Sequence, residues 1–339
     1  IEIISNPSAK YEGNIDGVIN IILKKEARYG MSGNAALTVK PFNKLTTSGS
    51  GRLDYAAGKI TFYVTGFTFI QNLQINSWND SHFLANDSTT KLTGDGKIKI
   101  SNSALNGGFD YYMNDKNNLS LNISYKPIGQ NIDMLSETDL YKSDIPLSTI
   151  SGITEQDLKS NETSVSLFYK KTFDKAIKEC TAESNYYNFR SDELNNFENT
   201  KFVFNDDSVL STYGRIENNL NQRDYFSTKL NYVLPLGMNA KIETGYQFYF
   251  QHLAYDFNIN NQESDNLFLY NELRNSVYGG ITYNLKKVGM QAMLRIENSQ
   301  ISADSVTDPN YSCFLPSVNL QYKFSASHNL KFIYNRRIN

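Results

Sequence analysis

Hydrophobic and polar residues alternate along most of the chain, with the period of two that is typical of a β-strand. In residues 119–125 the odd positions are apolar and the even positions are serine or asparagine. The same alternation recurs at residues 226–234, 240–250, 288–296 and 318–324. No segment carries a sustained stripe of apolar residues at helical spacing. The pattern therefore predicts an all-β protein.

Connections of two kinds alternate between these segments. Short turns are predicted at residues 57–59, 114–117, 174–176, 235–237, 286–287 and 325–327. Long polar loops are predicted between them, at residues 72–90, 129–161, 191–212, 258–266 and 299–311. Counting segments in this way gives about thirteen strands, many of them longer than the roughly 9–11 residues that cross a membrane.

Two all-β architectures alternate in this way, and the strand and loop lengths separate them. Strands of a soluble sandwich usually have about 5–6 residues, with a turn about every 8–12. The strands here are longer, and short turns on one edge face long loops on the other, as in outer-membrane barrels. Aromatic residues beside the short turns suit an interfacial girdle: Tyr111, Tyr112, Phe173 and Phe324. We therefore predict a transmembrane antiparallel up-and-down β-barrel in the bacterial outer membrane.

The two faces of such a barrel meet different surroundings. The apolar face is expected to meet lipid, and the polar face is expected to line the lumen. That polar face carries several charged residues: Lys229, Lys241, Glu243, Arg295 and Glu297. On the lipid face near the midplane, each charge would cost about 2–4 kcal/mol.

Composition excludes other classes. The 33 basic and 35 acidic residues nearly cancel, so no basic excess indicates nucleic-acid binding. No apolar run reaches the roughly 18 residues of a membrane-spanning helix. The 2 cysteines, Cys180 and Cys313, are too few for a disulfide scaffold or a thiolate zinc site, and they are predicted to be free thiols near opposite membrane faces.

Both ends of the sequence look like strands in progress. Residues 1–4 are strand-like from the first position, and residues 332–339 continue an alternating pattern. We therefore expect a segment of a longer protein whose strands do not close a barrel by themselves.

Two stretches carry a resemblance to a known family. Residues 1–25 contain Asn-Pro-Ser-Ala-Lys-Tyr and then Gly-Val-Ile-Asn-Ile-Ile, and they resemble the end of the plug domain in TonB-dependent outer-membrane receptors. Residues 315–339 resemble a barrel hairpin of the Bacteroidetes-type outer-membrane β-barrel branch of that family. The plug-end motif consists of Asn6, Pro7, Ser8, Ala9, Gly17 and Asn20.

The resemblance implies a domain organisation and a function. Residues 1–27 would be the C-terminal end of the plug, and residues 28–339 the N-terminal and middle part of a barrel of about 22 strands. Such receptors take up a nutrient or chelate by TonB-coupled active transport, with the substrate captured by extracellular loops and plug. The implied partners are a TonB-type energy-transducing complex, the lipid bilayer, a small-molecule or oligomeric nutrient and a surface lipoprotein. The alternative is a non-transporting outer-membrane barrel that acts as an adhesin or binding scaffold.

Candidate chemistry is sparse. His82, His252 and His328 lie in separate segments, with His82 and His328 expected at opposite barrel ends. His252 is the only conceivable catalytic base, and no nucleophile or orienting group can be assigned to it. Asp80, Asp87, Asp95, Asp206 and Asp207 lack the spacing of a calcium loop. We therefore expect neither an enzyme nor a metal or cofactor site.

Aromatic residues in the long polar segments are the candidate substrate-binding residues. They are Trp78, Phe83, Phe197 and Phe202. Rings in polar loops can stack on sugars or apolar ligands, and they can equally pack a loop against its neighbours.

Overall fold

The computed structural model describes residues 2–4, 18–20, 30–42, 44–173, 178–204, 206, 208–260, 267–304, 310–325 and 328–336. These residues form β-strands and the turns that join them. Across these ranges, none of the chain forms a helix with the length and apolar character needed to cross a membrane.

The described residues form fifteen strands. Their bounds are β1 (Glu2–Ile4), β2 (Val18–Asn20), β3 (Gly30–Phe42), β4 (Lys44–Ala57), β5 (Ile60–Phe83), β6 (Ser88–Asn114), β7 (Asn117–Lys142), β8 (Ile145–Thr172), β9 (Glu179–Val203), β10 (Val209–Leu236), β11 (Ala240–Ile259), β12 (Leu267–Asn284), β13 (Val288–Ala303), β14 (Tyr311–Lys323) and β15 (Asn329–Asn335).

Strands β3 to β15 form one 13-stranded sheet in which every strand pairs with its neighbours in the sequence. All these pairs are antiparallel, so the order is the up-and-down meander that the sequence predicts. Strands β1 and β2 form a separate two-stranded sheet. Among the described residues, β3 and β15 do not pair with each other, so these thirteen strands form an open sheet.

Apolar side chains gather on one face of the sheet beside the short turns. In β13 the outward positions from Val288 to Ile296 are all apolar, whereas Met293, Arg295 and Glu297 are buried on the opposite face. Cross-strand register continues this apolar belt, since Leu294 lies opposite Pro316 of β14. Beyond Ile296 the outward positions become polar, so the belt has the height of a lipid-facing zone.

We call this belt the membrane band, and we call the opposite face the luminal face. The outward positions of the band run over residues 60–66 in β5, 105–111 in β6, 119–125 in β7, 165–169 in β8, 182–186 in β9, 226–236 in β10, 240–250 in β11, 277–283 in β12, 288–296 in β13 and 314–322 in β14.

The prediction of long polar loops is wrong. Residues 72–90, 129–161 and the described part of 191–212 continue as paired strands beyond the membrane band, and residues 129–161 form a hairpin end that turns at Ser143 and Asp144, whereas residues 261–266 and 305–309 lie outside the described residues. Both turn residues have positive φ, 48° and 61°, as a two-residue hairpin turn requires. The alternation signal fades there because both faces are polar, but the backbone groups still pair across the hairpin.

The short turns are found where the sequence places them. Gly58 has a φ of 57° between β4 and β5, and Gly237 has a φ of 74° after β10. The predicted turn at residues 174–176 lies outside the described residues, as do residues 326–327 of the last turn. One part of the predicted girdle is wrong, because Tyr111 and Tyr112 are consecutive on β6 and therefore face opposite sides.

Candidate functional site

Four charged side chains form a buried charge network on the luminal face: Glu272, Arg274, Arg295 and Glu297. Arg295 and Glu297 are each only 1% exposed. The Nε atom of Arg295 donates to Oε2 of Glu297 at 2.9 Å. Its Nη1 atom donates to Oε1 of Gln247 at 3.1 Å, and its Nη2 atom donates to Oγ of Ser276 at 2.7 Å. Every branch of this guanidinium is therefore engaged.

The second ion pair of the network is equally well satisfied. Nε of Arg274 donates to Oε1 of Glu272 at 2.9 Å, and Oγ of Ser299 donates to the same carboxylate oxygen at 2.9 Å. The hydroxyl of Tyr270 donates to Oε2 of Glu272 at 3.1 Å. Two arginines thus balance two glutamates, and buried charges are tolerated only when they are paired and hydrogen-bonded in this way.

Tyr270 lies beyond the membrane band, at the outer edge of this network. Its burial, and then the neighbouring Glu272 carboxylate, raise the pKa of Tyr270 to about 12. The phenol is therefore protonated at neutral pH and remains a hydrogen-bond donor to Glu272.

Strand periodicity and register build the network. Arg295 and Glu297 are two positions apart on β13, so they share the luminal face. Glu297 lies opposite Ser276 of β12, and Ser276 lies opposite Gln247 of β11, which brings three strands together. Beside them, the ring of Tyr278 covers Gly245 of β11, where any side chain would collide with that ring and with the Leu230 carbonyl.

Next to the network, five residues form what we call the luminal aromatic wall: Tyr187, Phe189, Arg223, Tyr225 and Tyr249. Tyr187 lies opposite Tyr225, and Phe189 lies opposite Arg223, across β9 and β10. The rings of Tyr225 and Tyr249 meet edge to face, with 4.9 Å between their centroids. The Arg223 guanidinium carbon is 5.4 Å from the Phe189 ring centroid.

The wall adjoins the network directly. The guanidinium of Arg274 lies over the ring of Tyr249, 4.5 Å from its centroid. One continuous luminal surface therefore carries paired charges at one end and aromatic rings at the other.

The outward neighbours of the wall give its height relative to the membrane. Tyr186 and Phe226 end the membrane band on β9 and β10, and Asn188 and Asp224 follow as the first polar outward positions. The wall therefore lies at the rim of the band, on the side away from the short turns. In outer-membrane barrels the short turns are periplasmic, so this rim is extracellular.

Asp224 is anchored at that rim on the outward face. Burial would raise the pKa of the Asp224 carboxyl, but hydrogen bonds from Gln222, Asn188 and Tyr186 outweigh burial and lower its pKa. This carboxylate is therefore already engaged and faces away from the luminal aromatic wall.

The luminal charges predicted from the sequence share one face. Lys229 lies opposite Gln247, and Glu243 lies opposite both Val233 and Gly280 on that face. Lys241 donates to Glu243 at 3.1 Å, and Arg295 and Glu297 belong to the buried charge network.

The four aromatic candidates are not brought together, and their prediction as loop residues is wrong. Trp78 and Phe83 are on β5, while Phe197 and Phe202 are on β9. Phe83 and Phe197 are on the luminal face, whereas Trp78 and Phe202 are on the outward face. The register separates them because positions an odd number of residues apart on a strand point to opposite sides.

The remaining candidates are scattered. His82 is the penultimate residue of β5, beside the β5–β6 turn, and His328 lies in the short turn before β15, so the two lie toward opposite ends of the strands. Nδ1 of His252 is 2.7 Å from Oδ1 of Asn271. Cys180 and Cys313 are free. Within the described ranges, no three His, Cys, Asp or Glu side chains are grouped to hold a metal ion.

The plug-end motif falls almost entirely outside the described residues. Of its six positions only Asn20 is described, at the end of β2, where it pairs with Glu2 of β1. The predicted domain boundary at residues 27 and 28 also lies outside the described residues.

Sequence reasoning missed the luminal aromatic wall. Arg223 and Tyr225 belong to a polar stretch with weak alternation, and their partners Phe189 and Tyr249 come from two other strands. The sequence carries one sign of this site. Other luminal arginines, such as Arg295 with Glu297, have an acidic residue two positions away on the strand, whereas Arg223 has Asn221.

Comparison with known proteins agrees with this architecture. The model of the outer membrane protein beta-barrel family matches residues 171–339, about half of the chain. The fold and this match together define an outer-membrane β-barrel, and the protein lies in the bacterial outer membrane.

A further comparison gives a weaker likeness. The beta domain of the Bordetella autotransporter BrkA is 12% identical, with 87% of this chain and 96% of that chain covered and a TM-score of 0.24. That superposition is too poor to bear on function. No curated protein sequence matches this chain.

Proposed function

We propose that the protein is an outer-membrane receptor that takes up a nutrient or chelate by TonB-coupled active transport. In this proposal the extracellular strand extensions and the plug capture the solute. The energy-transducing complex engages the plug, and a surface lipoprotein assists capture. We also propose that the chain is not an enzyme.

The luminal aromatic wall is the observation that carries the proposal. A receptor needs inward-facing groups at the extracellular rim that can hold a solute, and Phe189, Arg223 and Tyr225 occupy that position. Rings offer stacking area, and a guanidinium offers directed hydrogen bonds. The adjoining buried charge network gives the wall a rigid base.

The open edges of the sheet support a wide barrel. Within the described ranges, strands β3 and β15 end the sheet, and an unpaired edge within hydrocarbon would leave backbone groups unsatisfied. We propose that further strands complete a barrel of about 22 strands, the size of plugged outer-membrane transporters. The separate β1–β2 pair suits the end of a plug that feeds the barrel.

The test is uptake in a bacterium that carries the full-length receptor. Strains with the receptor, without it, and with it but without TonB are grown on single iron chelates, glycans or peptides. A substrate whose uptake requires both receptor and TonB supports the proposal. Uptake that needs the receptor but is unchanged by TonB deletion would overturn energy coupling.

The alternative is a non-transporting barrel that acts as an adhesin or binding scaffold. Its support is the length of the hairpins: β7 and β8 have 26 and 28 residues, well beyond the roughly 9–11 that cross the membrane. Trp78, which is 80% exposed on the outward face, also suits a macromolecular contact. Binding of whole cells or glycans to the receptor, without uptake in any strain, would favour this alternative.

A further inference from the structure

Arginines on the luminal face follow a pairing rule. Four of them form an ion pair with an acidic residue two positions away on the same strand. The pairs are Arg52 with Asp54 at 2.6 Å, Arg215 with Glu217 at 2.9 Å, Arg274 with Glu272 at 2.9 Å and Arg295 with Glu297 at 2.8 Å. The period of two places both partners on one face, so each cation has its own anion.

Arg223 departs from this rule. The residues two positions away are Asn221 and Tyr225, and neither carries a negative charge. Its Nε atom donates to Oδ1 of Asn221 at 3.3 Å. Within the part of the chain that the structure describes, its guanidinium forms no ion pair with a carboxylate. Arg223 is also exposed, so its remaining N–H donors can be reached from the lumen.

The acidic residues near Arg223 are occupied elsewhere. Glu162, opposite Phe189 on β8, accepts a hydrogen bond from Nζ of Lys126 at 2.6 Å. Asp224 is consecutive with Arg223 and so faces the opposite side of the sheet. The cation therefore stands among rings, with Phe189 beside it and Tyr225 next on its strand.

We infer that Arg223 binds an anionic oxygen group of the transported solute, and that this solute joins a carboxylate, sulfate or phosphate to a ring or apolar body. The inference rests on the proposed receptor function. A planar guanidinium fits these groups with two parallel hydrogen bonds. Phe189, Tyr187 and Tyr225 would contact the apolar part of the solute.

Matched probes test the charge requirement. Benzoate and benzamide have nearly the same shape, but only benzoate is anionic. Their affinities for the full-length receptor in detergent are measured by ligand-observed NMR, at low and at high NaCl concentration. We expect benzoate to bind about tenfold more tightly than benzamide, and to weaken with salt as exposed charge interactions do. Equal affinity for both probes would overturn the inference.

Three variants locate the site. Arg223→Gln removes the cation, and Asn221→Glu supplies the partner that the pairing rule lacks here, so both should lower benzoate affinity about tenfold. Arg215→Gln, in the same cross-strand geometry but already paired with Glu217, is the control and should leave affinity unchanged. Far-UV circular dichroism, and the difference in SDS gel mobility between heated and unheated samples, verify folding of each variant.

The outcomes separate this inference from the proposed function. Unchanged benzoate binding in Arg223→Gln would overturn the anion site, and so would unchanged binding in Asn221→Glu. Because these measurements use no energy source, they do not depend on TonB. If the unmodified receptor gave no TonB-dependent uptake of any substrate tested, the transport proposal would be contradicted, whatever the result for benzoate binding.

Discussion

Two arginines on the same luminal face, Arg223 on β10 and Arg295 on β13, meet opposite surroundings. Arg295 is 1% exposed and hydrogen-bonded to Glu297, Gln247 and Ser276. Arg223 is exposed and has a ring and an amide as neighbours. The hydrogen-bond donors of Arg295 are all used within the protein, whereas those of Arg223 can bind a ligand. The residue two positions away on the strand decides between these roles, more than the arginine itself.

The largest expected effect is a loss of stability when Arg295, the buried arginine of the comparison, is replaced. Arg295→Met removes the closest cation of buried Glu297 and leaves it only Arg274, whose Nη1 is 3.8 Å away, so we expect the free energy of unfolding to fall by about 3–5 kcal/mol. Urea titration of the protein refolded into vesicles measures this change. The double variant Arg295→Met/Glu297→Leu should regain most of the loss, because no charge then remains unpaired. A single variant as stable as the parent would contradict a structural role for the network.

A smaller loss of stability is expected at Gly245 of β11, which packs against the ring of Tyr278 beside the buried charge network. Gly245→Ala places a methyl group against the Tyr278 ring and the Leu230 carbonyl, so the strands must shift. We expect a loss of about 1–3 kcal/mol in the same urea titration. Gly66→Ala is the control, since no atom lies within 4 Å of the added carbon there. Equal losses in both variants would show that close packing is not the cause.

The pairing rule also predicts a gain of binding. Glu217→Asn removes the acidic partner of Arg215, which lies over Phe197 with 5.1 Å between the guanidinium carbon and the ring centroid. This site then matches that of Arg223 and Phe189, and we expect a second, benzoate-selective binding event of similar affinity. A saturation titration counts the sites. If the number of bound benzoate molecules stayed unchanged, the ion pair with Glu217 would not be what prevents Arg215 from binding an anion.

The smallest expected effect is the change in stability when Arg223, the exposed arginine of the comparison, is replaced. Arg223→Gln removes an exposed cation that forms no carboxylate pair among the described residues. We expect the free energy of unfolding to change by less than about 0.5 kcal/mol. A loss comparable with that of Arg295→Met would show that Arg223 is structural, and would remove the contrast between the two arginines.

Much of the fold could be predicted from the sequence because the lipid-facing segments alternate strongly. In residues 288–296 every second position is apolar, and the structure puts all of them outward. The hairpin ends could not be predicted, since segments such as residues 129–161 have no lipid side and therefore no clear apolar period. There the backbone pairing of β7 with β8 keeps the strands together.

The candidate site divides in the same way. Arg295 and Glu297 were predicted to be luminal because charges interrupt an apolar alternation. Trp78, Phe83, Phe197 and Phe202 share only an aromatic ring in a long polar segment, and strand register places them on two faces. Composition cannot reveal that separation, because it depends on an odd or even position within a strand.

The sequence by itself determined strand type, face and the pairing of charges two positions apart, since these follow from the local period of a β-strand. Only the tertiary structure decided which strands adjoin and in what register. That register brings Gln247 to Arg295 across 48 positions of the chain, and sets Phe189 opposite Arg223. The physical reason is that side-chain contacts across a sheet depend on hydrogen bonding between strands, which no single strand encodes.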